Sequence, residues 1–215
     1  MPVIKSKNIL VENWLNIARD KDTPSVHFRT AIENIGLLLF SEAITQAVSN
    51  NSKGLISRQD IKTPLKRTQV NFIDQKHIYL IPILRAGLGM LPGIKNLLPE
   101  AKVSHVGLYR NEFTLEPHWY LDKLPKKITK RSTFFILEPM LATGGTISEV
   151  LRRIIILGSV KIHVISALTT EKTKKLLEER FPPVYFHVAA IDPQLNQKGY
   201  IVPGLGDAGD RAFNL

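Results

Sequence analysis

The pattern of apolar and polar positions divides the chain into a helical front and a strand-and-helix back. An amphipathic stretch opens it. Residues 23–48, "TPSVHFRTAIENIGLLLFSEAITQAV", set Ala31, Ile32, Ile35, Leu38, Leu39, Ala43 and Ile44 at helical spacing. This predicts a core-facing helix, with Thr23 as its N-cap and Pro24 as its first helical residue. Residues 49–76 are polar and turn-rich, with Gly54 and Pro64. "HIYLIPIL" (77–84) then reads as a buried strand, followed by "RAGLGM", a short helix with Pro92 early in it, and a further strand, "KVSHVGLY" (102–109). Residues 110–132 have no consistent period and predict a long loop or hairpin, a length often tied to function.

The clearest block begins at Ser132. "STFFIL" is a strand, "EPMLATGGT" a loop, and "ISEVLRRIIIL" a helix stopped at Gly158. "VKIHVISAL" is a strand, "EKTKKLLEER" a helix and "VYFHVAA" a strand. Strand–helix–strand repetition implies right-handed crossovers and a parallel sheet, so the fold class is α/β. Ligands of such sheets bind at the carboxyl ends of the strands. Both "RAGLG" and "EPMLATGGT" lie at such ends.

Composition narrows the chemistry. The chain has 215 residues, room for one domain or one with an appendage. No apolar run approaches the roughly 20 residues of a membrane span, and "MPVIKSKNILVENW" lacks the apolar region of a signal peptide. The expected location is the cytoplasm, or the plastid stroma if the protein is organelle-encoded. Cysteine is absent, which excludes disulfides, thiolate zinc sites and a thiol nucleophile. The six histidines form no His-Glu-x-x-His motif. A formal net charge of +10 favours anionic partners such as nucleic acid or a polyphosphorylated small molecule.

The loops at the strand ends carry that charge preference further. In Ala142-Thr143-Gly144-Gly145-Thr146 the glycines let the backbone curl closely, and the following helix supplies N–H groups without intrahelical partners. That pattern suits a phosphate cradle; it also suits an ordinary turn with Thr146 as N-cap. The Gly-Lys-Ser/Thr ending of an ATP-binding loop is missing. Glu138 sets a carboxylate at the same mouth, suited to sugar hydroxyls. Arg85 and Arg110 each follow a strand, and arginine grips phosphate oxygens in a two-pronged geometry. Together these point to a ligand with phosphates at both ends. "GLGDAG" (204–209) matches a dinucleotide fingerprint only by accident, since six residues follow it. Its Asp207, with Asp210, is suited to a metal or a substrate edge.

"PILRAGLGM", "YRNEFTLEP", "EPMLATGGT" and "GYIVPGLGDAGDR" resemble the uracil phosphoribosyltransferases in order and spacing, and "FRTAIENIGLLLFSEA" resembles their second helix. The resemblance spans nearly the whole chain. It implies a type I phosphoribosyltransferase fold: a parallel sheet with flanking helices and a small hood formed by the terminal segments, in a single domain over residues 1–215. It implies the reaction of uracil with 5-phosphoribosyl-1-diphosphate to give UMP and diphosphate, with Mg²⁺ bound alongside the diphosphate. By the same resemblance, the donor contacts are Arg85, Arg110, Glu138, Pro139, Met140, Leu141, Ala142, Thr143, Gly144, Gly145, Thr146 and Asp207. Of these, Arg85, Arg110 and Asp207 are the catalytic candidates. Ile201, Gly206, Asp207 and Ala208 meet uracil. No residue is assigned as a direct metal ligand. A homo-oligomer and a GTP activator are further implications. Two departures stand out: Glu138 replaces the family's aspartate, and Thr146 its serine. A second expectation is a non-catalytic RNA-binding regulator of pyrimidine genes on the same fold, drawn from the net charge and the basic run "KLPKKITKR".

Overall fold

The computed structural model describes residues 3–50, 52–110, 117–158 and 161–214. Strand β1 (Val3–Lys5) leads into helices α1 (Ile9–Arg19), α2 (Ser25–Asn50) and the single turn α3 (Ser52–Leu55). An antiparallel hairpin follows, β2 (Ile56–Lys62) and β3 (Arg67–Ile73). Next come β4 (Ile78–Leu84), α4 (Leu91–Leu97), β5 (Lys102–Val103), β6 (Val106–Arg110) and β7 (Pro117–Asp122). The back of the chain runs β8 (Thr133–Leu137), β9 (Met140–Leu141), α5 (Gly145–Ile156), β10 (Lys161–Thr170), α6 (Glu171–Arg180) and β11 (Tyr185–Asp192). Two short strands, β12 (Gln194–Leu195) and β13 (Ile201–Val202), and helix α7 (Ala208–Phe213) complete it.

The main sheet has the order β1-β11-β10-β8-β4-β6-β7, with β5 also on β4 and β9 on β10. Its pairings are parallel except β6 with β7. The α/β expectation is met. Every residue of β8 is buried, as expected of a strand covered on both faces. Adjacent phenylalanines point to opposite sides: Phe135 packs edge-on against Phe40 of α2, while Phe134 stacks on Tyr79 within the other core. The Phe135 side belongs to α1, α2 and α4; the Phe134 side belongs to α5 and α6.

Helix α2 buries Ala31, Ile32, Ile35, Leu39 and Ala43, with Leu38 and Ile44 half-buried. It begins one residue later than expected, because the Pro24 carbonyl accepts the first helical N–H, from Phe28. The Thr23 hydroxyl does not cap it; it donates to Ile17 O at 2.7 Å and ties the start of α2 to α1. The strand expected over 102–109 is two pieces, because β5 pairs with the start of β4 and β6 with its end. Residues 110–132 contain the hairpin partner β7, which pairs back on β6.

The hairpin β2–β3 has no buried position on either face, and Leu65 at its tip is 95% exposed. At the amino end of the sheet, His163 Nδ1 and His187 Nε2 share a hydrogen bond of 3.1 Å, and the His163 ring lies between Phe135 and Tyr185. Burial pushes His163 down to about 3, helped by His187 and Lys161, and burial alone pushes His187 down to about 4. Both rings are neutral in the folded protein at neutral pH. No helix among the described residues is long and apolar enough to cross a membrane.

Candidate active site

At the carboxyl ends of β4 and β8 lies a cleft of about 600 Å³. One wall is the turn from β8 into α5: Glu138, Met140, Leu141, Ala142, Thr143, Gly144, Gly145 and Thr146. The opposite wall is the segment that returns near the end of the chain, with Ile201, Gly206, Asp207 and Ala208. Two stretches separated by more than fifty residues therefore face one space.

The first wall is shaped by the residues behind it. Gly144 caps α5 in the left-handed region, at φ 79°, and contributes no side chain over the first turn. A Cβ there would be strained in this conformation and tight against Thr173 Cγ2, at 3.3 Å. Three carbonyls of the turn are held from β10 and α6 by hydroxyls. Ser166 Oγ donates to Pro139 O at 3.0 Å, Thr169 Oγ1 donates to Leu141 O at 3.2 Å, and Thr173 Oγ1 donates to Ala142 O. With its carbonyls turned inward, the loop is left to present backbone N–H groups and the α5 dipole to the cleft. Thr146 is the second helical residue rather than the N-cap.

Pro139 lies outside the cleft lining: it is buried, and its carbonyl also accepts the N–H groups of Ala167 and Leu168. Arg85 follows β4 directly beside the lining residue Ala86, and its guanidinium pairs with Asp210 at 3.1 Å. The backbone of Arg110 closes β6, but its side chain, like residues 111–116, lies outside the described residues. Asp207 is exposed; its Oδ1 caps α7 by accepting from Asp210 N at 2.9 Å. Lys198, Gly199 and Tyr200 also line the cleft, as do Ile147 and Gly209. Tyr200 stands within the quoted "GYIVPGLGDAGDR" motif, so proximity to Ile201 was its available signal; Lys198 had none.

The second wall is held by charge. Arg19, at the end of α1, makes two bonds to Asp192, of 2.6 and 2.9 Å, and donates to Gly204 O at 2.7 Å. Asp192 Oδ2 accepts the Gly204 N–H at 2.9 Å. Arg211 donates to Leu205 O, Ala18 O and Asp20 O, and lies over the Phe28 ring at 4.3 Å. None of these three charged residues was singled out by sequence pattern.

A cleft with an anion-suited loop on one side and backbone groups on the other accommodates a phosphorylated sugar and a small ring. Comparison with known proteins agrees. The family model described as uracil phosphoribosyltransferase matches residues 5–215. The uracil phosphoribosyltransferase of Clostridium botulinum (strain Eklund 17B / Type B) is 41% identical over 211 residues, covering 98% of this chain and 97% of that one. A solved Aquifex aeolicus protein superposes with a TM-score of 0.89 at 36% identity, over 99% of this chain and 98% of that one. The hypoxanthine-guanine phosphoribosyltransferase of L. donovani shares the fold at a TM-score of 0.50 and 11% identity, covering 78% of this chain and 84% of that one. The chain belongs to the uracil phosphoribosyltransferase family.

Proposed function

We propose that the protein transfers the 5-phosphoribosyl group from 5-phosphoribosyl-1-diphosphate to uracil, giving UMP and diphosphate, a step of pyrimidine salvage. The observation that carries this reading is that the 138–146 loop and the 201–208 segment line one cleft. In it, residues 140–146 bind the 5-phosphate and Glu138 the ribose hydroxyls. Arg85 and Arg110 face the diphosphate, and Arg85 exchanges its Asp210 partner for that ligand. The Ile201 carbonyl and the backbone at Gly206, Asp207 and Ala208 meet the edge of uracil. A site built from such paired groups rejects bases with the wrong edge, by up to about 10⁴–10⁵ in comparable enzymes.

Departure of diphosphate leaves an oxocarbenium-like sugar, and neutralising the leaving charge is the main demand on the site. Mg²⁺ bound with the diphosphate supplies part of that neutralisation. The described residues include no group of three His, Asp or Glu able to cage a metal. In this reading the ion is carried largely by substrate oxygens, with Asp207 as its protein neighbour. GTP, the activator implied by the family resemblance, is expected to raise the rate.

The whole chain reads as one phosphoribosyltransferase domain, with its terminal segments as hood. The exposed β2–β3 hairpin, with Leu65 at its tip and Phe72, 46% exposed, near its base, supports a homo-oligomer, since a lone two-stranded hairpin is marginal in water. The RNA-regulator reading has less behind it. The basic run leads into the amino end of β8, away from the cleft, and its Arg131 is engaged by Asp74 at 2.9 Å. The test is to incubate the protein with labelled uracil, the diphosphate donor and Mg²⁺, beside cytosine, hypoxanthine and orotate. UMP formation from uracil alone is expected. No UMP above the level of a Glu138→Ala, Asp207→Ala double variant rejects the enzyme.

A further inference from the structure

We infer that Arg19, Asp192 and Arg211 are positioning residues that set where the 204–208 backbone stands, and thereby how strictly uracil is selected; this rests on the functional reading above.

The base end of the cleft depends on the backbone around Gly204. Its proposed recognition groups are main-chain atoms, which side-chain identity cannot tune. Their accuracy depends on what fixes the backbone. Gly204 opens the segment with both of its polar groups engaged. Its N–H goes to Asp192, and its carbonyl accepts from Arg19. Arg19 and Asp192 join each other through two further bonds, closing a ring of hydrogen bonds around one residue. Gly204 adopts φ +61°, and a Cβ there would fall 2.1 Å from Ile201 O, an atom proposed to meet the base. The gripped residue therefore packs directly against that recognition atom. One residue on, the Leu205 carbonyl is held by Arg211, whose other bonds reach Ala18 and Asp20 at the end of α1.

None of the three side chains lines the cleft. They act through the backbone: Arg19 ends α1, and Asp192 and Arg211 bond to that helix end from β11 and α7. The Asp192 side chain is only 6% exposed and that of Arg19 22%, so solvent does little to weaken the pair. A planar guanidinium can make the two parallel bonds and still reach the Gly204 carbonyl; a lysine ammonium cannot. The donor side of the cleft has its own support from Ser166, Thr169 and Thr173, and does not depend on this ring.

The experiment is steady-state kinetics on Asp192→Asn, Arg19→Lys and Arg211→Lys, varying uracil and the diphosphate donor separately, with cytosine as the competing base. Arg19→Lys keeps the charge in case Asp192→Asn does not fold, and Arg211→Lys loosens the segment from its other side. Losing one hydrogen bond to a charged group predicts a rise in KM for uracil of about tenfold. The preference for uracil over cytosine falls to a similar degree, while KM for the donor, which meets this segment only through Asp207, changes several-fold less. A general packing role would move both KM values together. Wild-type turnover with uracil KM unchanged in all three variants, or with both KM values rising in step, overturns the clamp alone. A wild-type protein that forms no UMP overturns the functional reading and the clamp with it.

Discussion

Residues 138–146 and residues 201–208 line the same cleft, yet neutral hydroxyls brace the first and charged groups brace the second. The first wall leans on β10 and α6, which directly follow its own helix in the chain. The second wall leans on α1, through partners 173 and 193 residues away. A wall continuous with the sheet needs only short donors to aim its carbonyls. A wall that returns from the far end of the chain packs on the core without pairing into the main sheet, and long two-pronged side chains tie it to α1. The two walls should therefore fail differently.

The largest expected effect is on stability. Arg19→Ala leaves the buried Asp192 carboxylate without its partner and should cost about 3–5 kcal/mol, read by denaturant unfolding. A loss below about 1 kcal/mol would show that the second wall stands without its charges. Next is the first wall: Gly144→Val forces a branched side chain into a left-handed position beside Thr173. Displacing the loop by about 1 Å should lower kcat/KM for the donor about 100-fold, and near-normal kinetics would refute a loop fixed by this geometry.

Acid tests the sheet on which both walls rest. Unfolded histidines protonate near 6.5, whereas His163 and His187 do so only at about 3 and about 4 when folded. Between these values the unfolded chain holds more protons. Stability should be complete above 6.5 and fall as pH drops, by at most about 1.4 kcal/mol per pH unit for each ring. Replacing both rings with phenylalanine should flatten that limb of a thermal-melt series against pH. The smallest effect is Thr173→Val, which removes the donor to Ala142 O and should cost about 1 kcal/mol in melting experiments. It should raise KM for the donor several-fold and leave uracil unaffected; the reverse pattern would erase the distinction between the walls.

The same contrast governs what could be read in advance. The β8–α5–β10–α6–β11 block is legible because each element announces itself within a dozen residues, by period or by a glycine stop. The cleft lining from 140 to 146 follows from that block, and the far wall from the family resemblance. Ser166, Thr169 and Thr173 look like ordinary polar positions in "VISALTTEKT", since nothing local says which carbonyls they meet. Arg19 and Asp192 look like surface charges until the fold brings them together. The hairpin over 56–73 is hidden for another reason: with neither face buried, β2 shows no alternation between apolar and polar positions, and that of Thr68, Val70 and Phe72 in β3 is short. The break at Ser104–His105 depends on which part of β4 each piece joins, which one strand's pattern does not encode.

The ring around Gly204 also has a history during translation. Arg19 leaves the ribosome early, whereas Asp192 emerges 173 residues later and Gly204 185 residues later. At synthesis rates of about 5–20 residues per second, the arginine waits on the order of ten seconds or more for its carboxylate. Throughout that interval α1 and α2 can already associate, while the guanidinium remains hydrated. On the proposed reading, the base end of the cleft is thus completed after the phosphate end.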